Sequence, residues 1–245
     1  MIQPIRPEPP ELAGPTVATQ EWRDLLFLHW RAEAAEIAPL LPPGTAPDEH
    51  DGSTWVGLIG FRLVNATLGA GPAIPYFGTF AEVNVRLYAV DQLGRRGVVF
   101  RSLEASRLLA VLAARAAFSI PYFWSRTEHV RLPDGLGYAA RRHGGRGRSR
   151  FVAASIGPTI EPTALEHFLT ARWGLFTRRF GRTILLPNTH ERWELHRAEI
   201  VELEDSLVAQ AGIRARGTPE SGLVSPGVRA RFGRPLAVPD GEGER

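Results

Sequence analysis

The chain has 245 residues, 44% of them hydrophobic, enough to build one sizeable core, and its 29 basic against 26 acidic residues leave a net charge of only +3. All of the basic residues are arginine, which excludes mechanisms that need a lysine side chain, lysine Schiff bases and the Walker A phosphate loop included. The absence of cysteine excludes disulfides, thiolate nucleophiles and cysteine-ligated metal sites, and so mild a positive balance gives no argument for nucleic acid.

Residues 1–16 hold five prolines and read as a tail, as do residues 239–245, so the expected folded unit is one domain over residues 17–238. No run approaches the ~18 apolar residues of a membrane span, and the N-terminus lacks an apolar signal region. The expectation is a soluble, cytoplasmic protein with no membrane partner. The stretch Glu21–Trp30 reads as a strand or a short helix, and Ala32–Leu41 as a helix stopped by Pro42, Pro43 and Gly44. Trp55–Asn65 and Thr79–Val90 are rich in β-branched and aromatic residues and read as strands around a loop at 69–78. After a turn at 91–97, Val98–Glu104 returns as an antiparallel partner, and Ser106–Phe118 is predicted helical with Ser106 as its N-cap. Further strands are expected at Glu128–Leu132, Gly137–Arg142, Arg150–Ile156, Thr183–Leu186 and around Glu194–Leu203, with a helix at Pro162–Trp173. Many strands and about three helices in an order that does not alternate predict an α+β fold with a large antiparallel sheet or barrel. Without a GxGxxG motif or a P-loop, no nucleotide cofactor is expected, and none of any other kind is called for.

The strand at 80–90 alternates cleanly. Ala81, Val83, Val85, Leu87 and Ala89 share an apolar face, while Phe80, Glu82, Asn84, Arg86 and Tyr88 share the other. A solvated face is the plain reading; the sharper one is a pocket wall on which Arg86 clamps a carboxylate and Glu82 acts as acid or base. Glu82 and Arg86, four residues apart, are roughly 13 Å from one another along the strand and do not pair directly. His29, between Leu28 and Trp30, suits a core histidine or a hydrogen-bonding group near pH 7. The six-residue spacing of His190 and His196 fits no metal site and leaves both as structural or pocket-lining residues. The Arg141–Arg150 segment resembles an RNA-contact loop but lacks interleaved aromatics, which favours a solvated hairpin. Asp51-Gly52 is a turn signal.

Ordered segments along most of the chain, among them WRDLLFLHW (22–30), LLPPG (40–44), DGSTWVGLIGF (51–61), FAEVNVRLY (80–88), GVVFRSL (97–103), ARAAFSIPY (114–122), FLTARW (168–173) and SPGV (225–228), resemble the YqjF-like family, which is classed with the acetoacetate decarboxylase-like fold. The resemblance implies a single α+β domain around a cone-like antiparallel β-barrel whose lumen holds the site, with the polar face of 80–88 turned into that lumen. In the decarboxylase a GRE motif precedes a Pro-Lys-Lys segment that carries the Schiff-base lysine. Here the matching stretch is Ala114-Arg115 followed by Pro121-Tyr122-Phe123, so Tyr122 stands where the reactive lysine would be. A phenol forms no imine and can only donate, accept or orient. Glu82 sits in a strand position similar to that of the decarboxylase's pocket glutamate.

The resulting expectation is a pocket for a small carboxylate or carbonyl compound. Glu82 and Tyr122 are its candidate catalytic residues, and Arg86, His29, Asn84, Tyr88 and Arg115 its candidate binding residues. Turnover would be non-covalent acid/base chemistry of a lyase or isomerase type; ligand binding or sensing without turnover is the alternative, and a surface role through Arg141–Arg150 the third. A homo-oligomer is compatible with the sequence.

Overall fold

The computed structural model describes residues 1–76 and 78–239; all but the first residue of the expected C-terminal tail lie outside this range. Among the described residues there are thirteen strands: β1 (Ala18–Ala32), β2 (Thr45–Pro47), β3 (Thr54–Leu68), β4 (Phe80–Asp91), β5 (Arg96–Ala105), β6 (Tyr122–Leu132), β7 (Gly135–Arg142), β8 (Arg148–Ile156), β9 (Gly174–Arg179), β10 (Arg182–Thr189), β11 (His196–Asp205), β12 (Ser221–Phe232) and β13 (Leu236–Ala237). The helices are α1 (Ala34–Ile37), α2 (Leu108–Phe118), α3 (Ala164–Thr170) and α4 (Leu207–Gln210). Among the described residues no helix is long and apolar enough to cross a membrane.

The segment around Glu21–Trp30 is a strand, paired on both sides by β12 and β3. A bulge interrupts its register between Arg23 and Leu26, where Asp24 takes φ +53°. The helix expected over 32–41 shrinks to one turn and a 3-10 turn, because β1 runs on to Ala32 and Pro39 cannot donate to an α-helical ladder. Helix α2 begins two residues later than expected. Ser106 does not cap it, since the chain is still extended at Arg107, the N-cap residue, which makes no side-chain cap bond. Helix α3 is closed by a reciprocal capping box between Thr163 and Glu166.

The sheet closes on itself twice. Strands β5, β6, β7, β8, β11, β12, β1, β3 and β4 form a nine-strand ring, sealed by β4–β5 pairing. A smaller ring runs β5, β9, β10, β12, β1, β3, β4, sealed by two short pairings: Val98 and Val99 with Leu175 and Phe176, and Asn188 and Thr189 with Phe232 and Arg231. The stretch β12–β1–β3–β4–β5 is therefore a wall common to both. The apolar face of β4 fills the nine-strand ring together with Leu26, Leu58, Tyr138 and Phe151. Packing there is tight: a Cβ on Gly60 would come within 2.3 Å of the Tyr138 ring and 2.9 Å of the Phe151 ring. This corrects the expectation of a site in the main barrel lumen, which is plugged by side chains; the polar face of β4 looks instead into the smaller ring.

Candidate functional site

All seven strands of the smaller ring contribute to a cavity of about 180 Å³. Its walls are largely apolar and aromatic, with Trp22 from β1, Phe61 from β3, Phe100 and Leu103 from β5, and Phe232 from β12. Trp22 stacks on Trp193 at 6.2 Å and meets Phe61 and Phe232 edge-on. Into this surface project Glu82, Arg86, Tyr122, Arg172, Asn188 and His190.

Glu82 reaches the cavity because its register partner on β3 is Phe61, and residues opposite one another share a face. Tyr122 arrives from another direction. After α2, Ser119 takes a left-handed C-cap (φ +55°), the chain turns at Pro121, and Tyr122 opens β6 in parallel register with Leu103. The Tyr122 phenol donates a 2.7 Å hydrogen bond to Glu82 Oε2, and the Asn84 amide lies 3.4 Å from Oε1. Burial pushes the Glu82 carboxyl up to about 7, against the lowering effect of those two hydrogen bonds. Burial and the neighbouring carboxylate hold the Tyr122 phenol well above its usual value, so it stays a donor.

Four residues farther along β4, Arg86 belongs to a second network. Tyr88 Oη donates to the Leu169 carbonyl at 3.0 Å and receives Arg86 Nε at 3.2 Å, while Arg86 Nη2 donates to the same carbonyl at 3.1 Å. His29 Nε2 lies 2.8 Å from Tyr88 Oη. Since the phenol hydrogen is already given to Leu169, His29 must be the donor, which fixes its proton on Nε2 and leaves Nδ1 bare; among the described residues Nδ1 has no partner. Burial first, then Arg86 and Arg172, keeps His29 neutral far below its ordinary range. His29, Tyr88 and Asn84 do not line the cavity; the first two stand behind Arg86 and fix its direction. Arg115 is set apart from the other candidates. It is exposed on α2, 5.6 Å from the Phe123 ring centroid and away from the cavity, because the helix turns its last coil outward.

Arg172, just past α3, was not singled out by sequence reasoning. It is fully enclosed, its Nε bonded to the Phe168 carbonyl and its Nη1 to Asp48. Its Cζ lies 4.2 Å from the Phe168 centroid and 4.8 Å from that of Tyr88. Among the described residues its third nitrogen, Nη2, has no partner. Asn188 Oδ1 is likewise buried and unpartnered. His190 stands in the wall between Trp173 and Trp193, each 4.6 Å away, with its pKa lowered to about 4 by burial. His196 is not among the lining residues. An aromatic, arginine-containing segment at 168–173 is visible in sequence, but nothing local marks Arg172 as a cavity residue.

Two other regions lack comparable chemistry. A shallower depression of about 340 Å³ lies across Phe100, Ile120 and Leu175 from the cavity; its Arg101 is bonded to the carbonyls of Leu40 and Ala211. In the β7–β8 hairpin, Arg142 is tied to the buried Glu104 and Arg150 to Glu202.

The chain has the acetoacetate decarboxylase-like fold. The acetoacetate decarboxylase of Legionella pneumophila superposes with a TM-score of 0.68 at 10% identity, covering 96% of this chain and 92% of that one. The enduracididine biosynthesis enzyme MppR, solved in complex with pyruvate, gives 0.67 at 13% identity over 93% and 92%. The chain itself belongs to the DUF2071 family, described as an uncharacterized conserved protein, whose pattern matches residues 19–229. Within reach of it is the uncharacterized protein YqjF of Bacillus subtilis (strain 168), 32% identical over 202 residues, spanning 81% of this chain and 82% of YqjF.

Proposed function

We propose that the cavity of the smaller ring binds a small carbonyl or carboxylate compound and that Glu82 moves a proton on the carbon next to the carbonyl. The observation that carries this reading is the Glu82–Tyr122 pair: a carboxyl poised at about 7, hydrogen-bonded to a phenol, in the same aromatic cavity as Arg86. In the proposed step the Tyr122 hydrogen turns from Glu82 to the ligand's carbonyl oxygen. Ionised Glu82 then takes the α-proton; the C–H electron pair passes into an enolate whose oxygen Tyr122 stabilises, and the proton returns from Glu82 to carbon. No lysine is needed, and no covalent bond to the protein forms. The pyruvate found in MppR supports a ligand of this general chemistry.

The test is hydrogen–deuterium exchange of pyruvate and levulinate in D2O, followed by loss of their proton NMR signals. Exchange should accelerate as pH rises through about 7, and Glu82→Gln should slow it by about a hundredfold or more. A reading without turnover draws on the 2.7 Å Glu82–Tyr122 bond, which already occupies both groups with one another. Ligand binding with no exchange above background would select it.

A further inference from the structure

Each of the two arginines of the cavity keeps one terminal nitrogen uncommitted. Among the described residues Arg86 commits Nε to Tyr88 and Nη2 to Leu169, leaving Nη1; Arg172 commits Nε to Phe168 and Nη1 to Asp48, leaving Nη2. Both guanidiniums lie within 5.6 Å of the Tyr88 ring centroid. Their charge is not cancelled locally. Asp48 is shared between Arg172 and Arg96, and Arg86 has no ion-pair partner among the described residues. A buried guanidinium nitrogen without a partner costs folding free energy, and an anion in the cavity would repay it.

Arg86 leans along β4 toward Tyr88, away from Glu82, so the cationic end and the Glu82–Tyr122 end are opposite poles of the cavity. Between them the wall is aromatic. A cavity of roughly 150 Å³ accepts benzene, so about 180 Å³ admits one ring with small substituents.

We propose that Arg172 and Arg86 together seat the ligand's carboxylate, and that the ligand is a ring-sized carboxylic acid whose carbonyl or hydroxyl group lies at the end remote from the carboxylate, against Glu82 and Tyr122. This rests on the cavity being a ligand site, and it adds the polarity and length of the ligand. A compound whose two polar groups are adjacent cannot satisfy both poles at once.

The experiment is calorimetric titration of the native protein with 4-hydroxybenzoate, its ortho isomer salicylate, the uncharged 4-hydroxybenzamide, and pyruvate. 4-Hydroxybenzoate should bind about tenfold or more tightly than salicylate and than the amide. Arg172→Gln should abolish the preference for acid over amide, and Tyr122→Phe the preference for para over ortho. If Arg172→Gln does not fold, Arg86→Gln tests the same pole, and the acid–amide comparison on the native protein needs no variant. Equal binding of acid and amide, or tighter binding of salicylate, overturns the proposal while leaving the cavity a ligand site. Absence of binding by all four compounds overturns the proposal and the ligand-site reading together.

Discussion

Between pH 4.5 and about 7 the folded chain keeps a proton on Glu82 that the unfolded chain has released, so this residue lowers stability as pH rises across that window. The shift corresponds to about 3 kcal/mol once Glu82 is fully ionised. His190 works in the opposite sense. Its folded pKa, about 4, lies below its ordinary 6.5, so its contribution is present above 6.5 and is lost as pH falls toward 4. Where the two windows overlap their slopes oppose each other, and native protein should show a muted pH dependence there. Glu82→Gln removes one of them. The variant should be more stable than native by up to about 3 kcal/mol at about pH 8 and by far less at about pH 5, read by urea unfolding. An equal difference at both pH values would refute the buried ionisation. Sequence made Glu82 visible through its place in an alternating strand, but not its titration, which depends on burial by residues far away in the chain. Arg172 was hidden for a related reason: its meaning comes from Asp48 and Arg86, more than eighty positions earlier.

At the scale of elements, β4 was the most legible part of the chain. Its parity sorts the two faces correctly, because strand geometry obliges alternate residues to diverge. What parity cannot say is what covers a face. Glu82 and Asn84 are almost wholly buried, and the side chain that meets Glu82 is Tyr122, forty residues later at the start of β6. β12 was missed as an element since Gly222, Pro226 and Gly227 look like turn residues. The structure uses Gly227, at φ +125°, where a Cβ would fall 2.0 Å from the Trp22 carbonyl oxygen. Helix α3 carries the Leu169 carbonyl that anchors both Arg86 and Tyr88. Its capping box was not anticipated, although Thr163 and Glu166 have the required spacing. Thr163→Ala should cost about 1 kcal/mol in urea unfolding, with the loss recovered by Thr163→Ser.

For the whole molecule, the common wall makes the two rings one mechanical unit. β1, β3, β4, β5 and β12 belong to both, so a break in any of the four pairings along this wall opens both rings at once. Thermal melting followed by tryptophan fluorescence and by far-ultraviolet circular dichroism should therefore give coincident single transitions; separated midpoints would show that the small ring melts on its own. The wall also has a bearing on how such a fold changes over time. On β4 the odd positions are held by close packing inside the nine-strand ring, while two of the even positions, Glu82 and Arg86, line a cavity. Alternate residues of one strand thus answer to different selective pressures. Chemistry can drift at such cavity positions while the scaffold stands still, which is one way that chains 10% to 14% identical to this one keep its architecture.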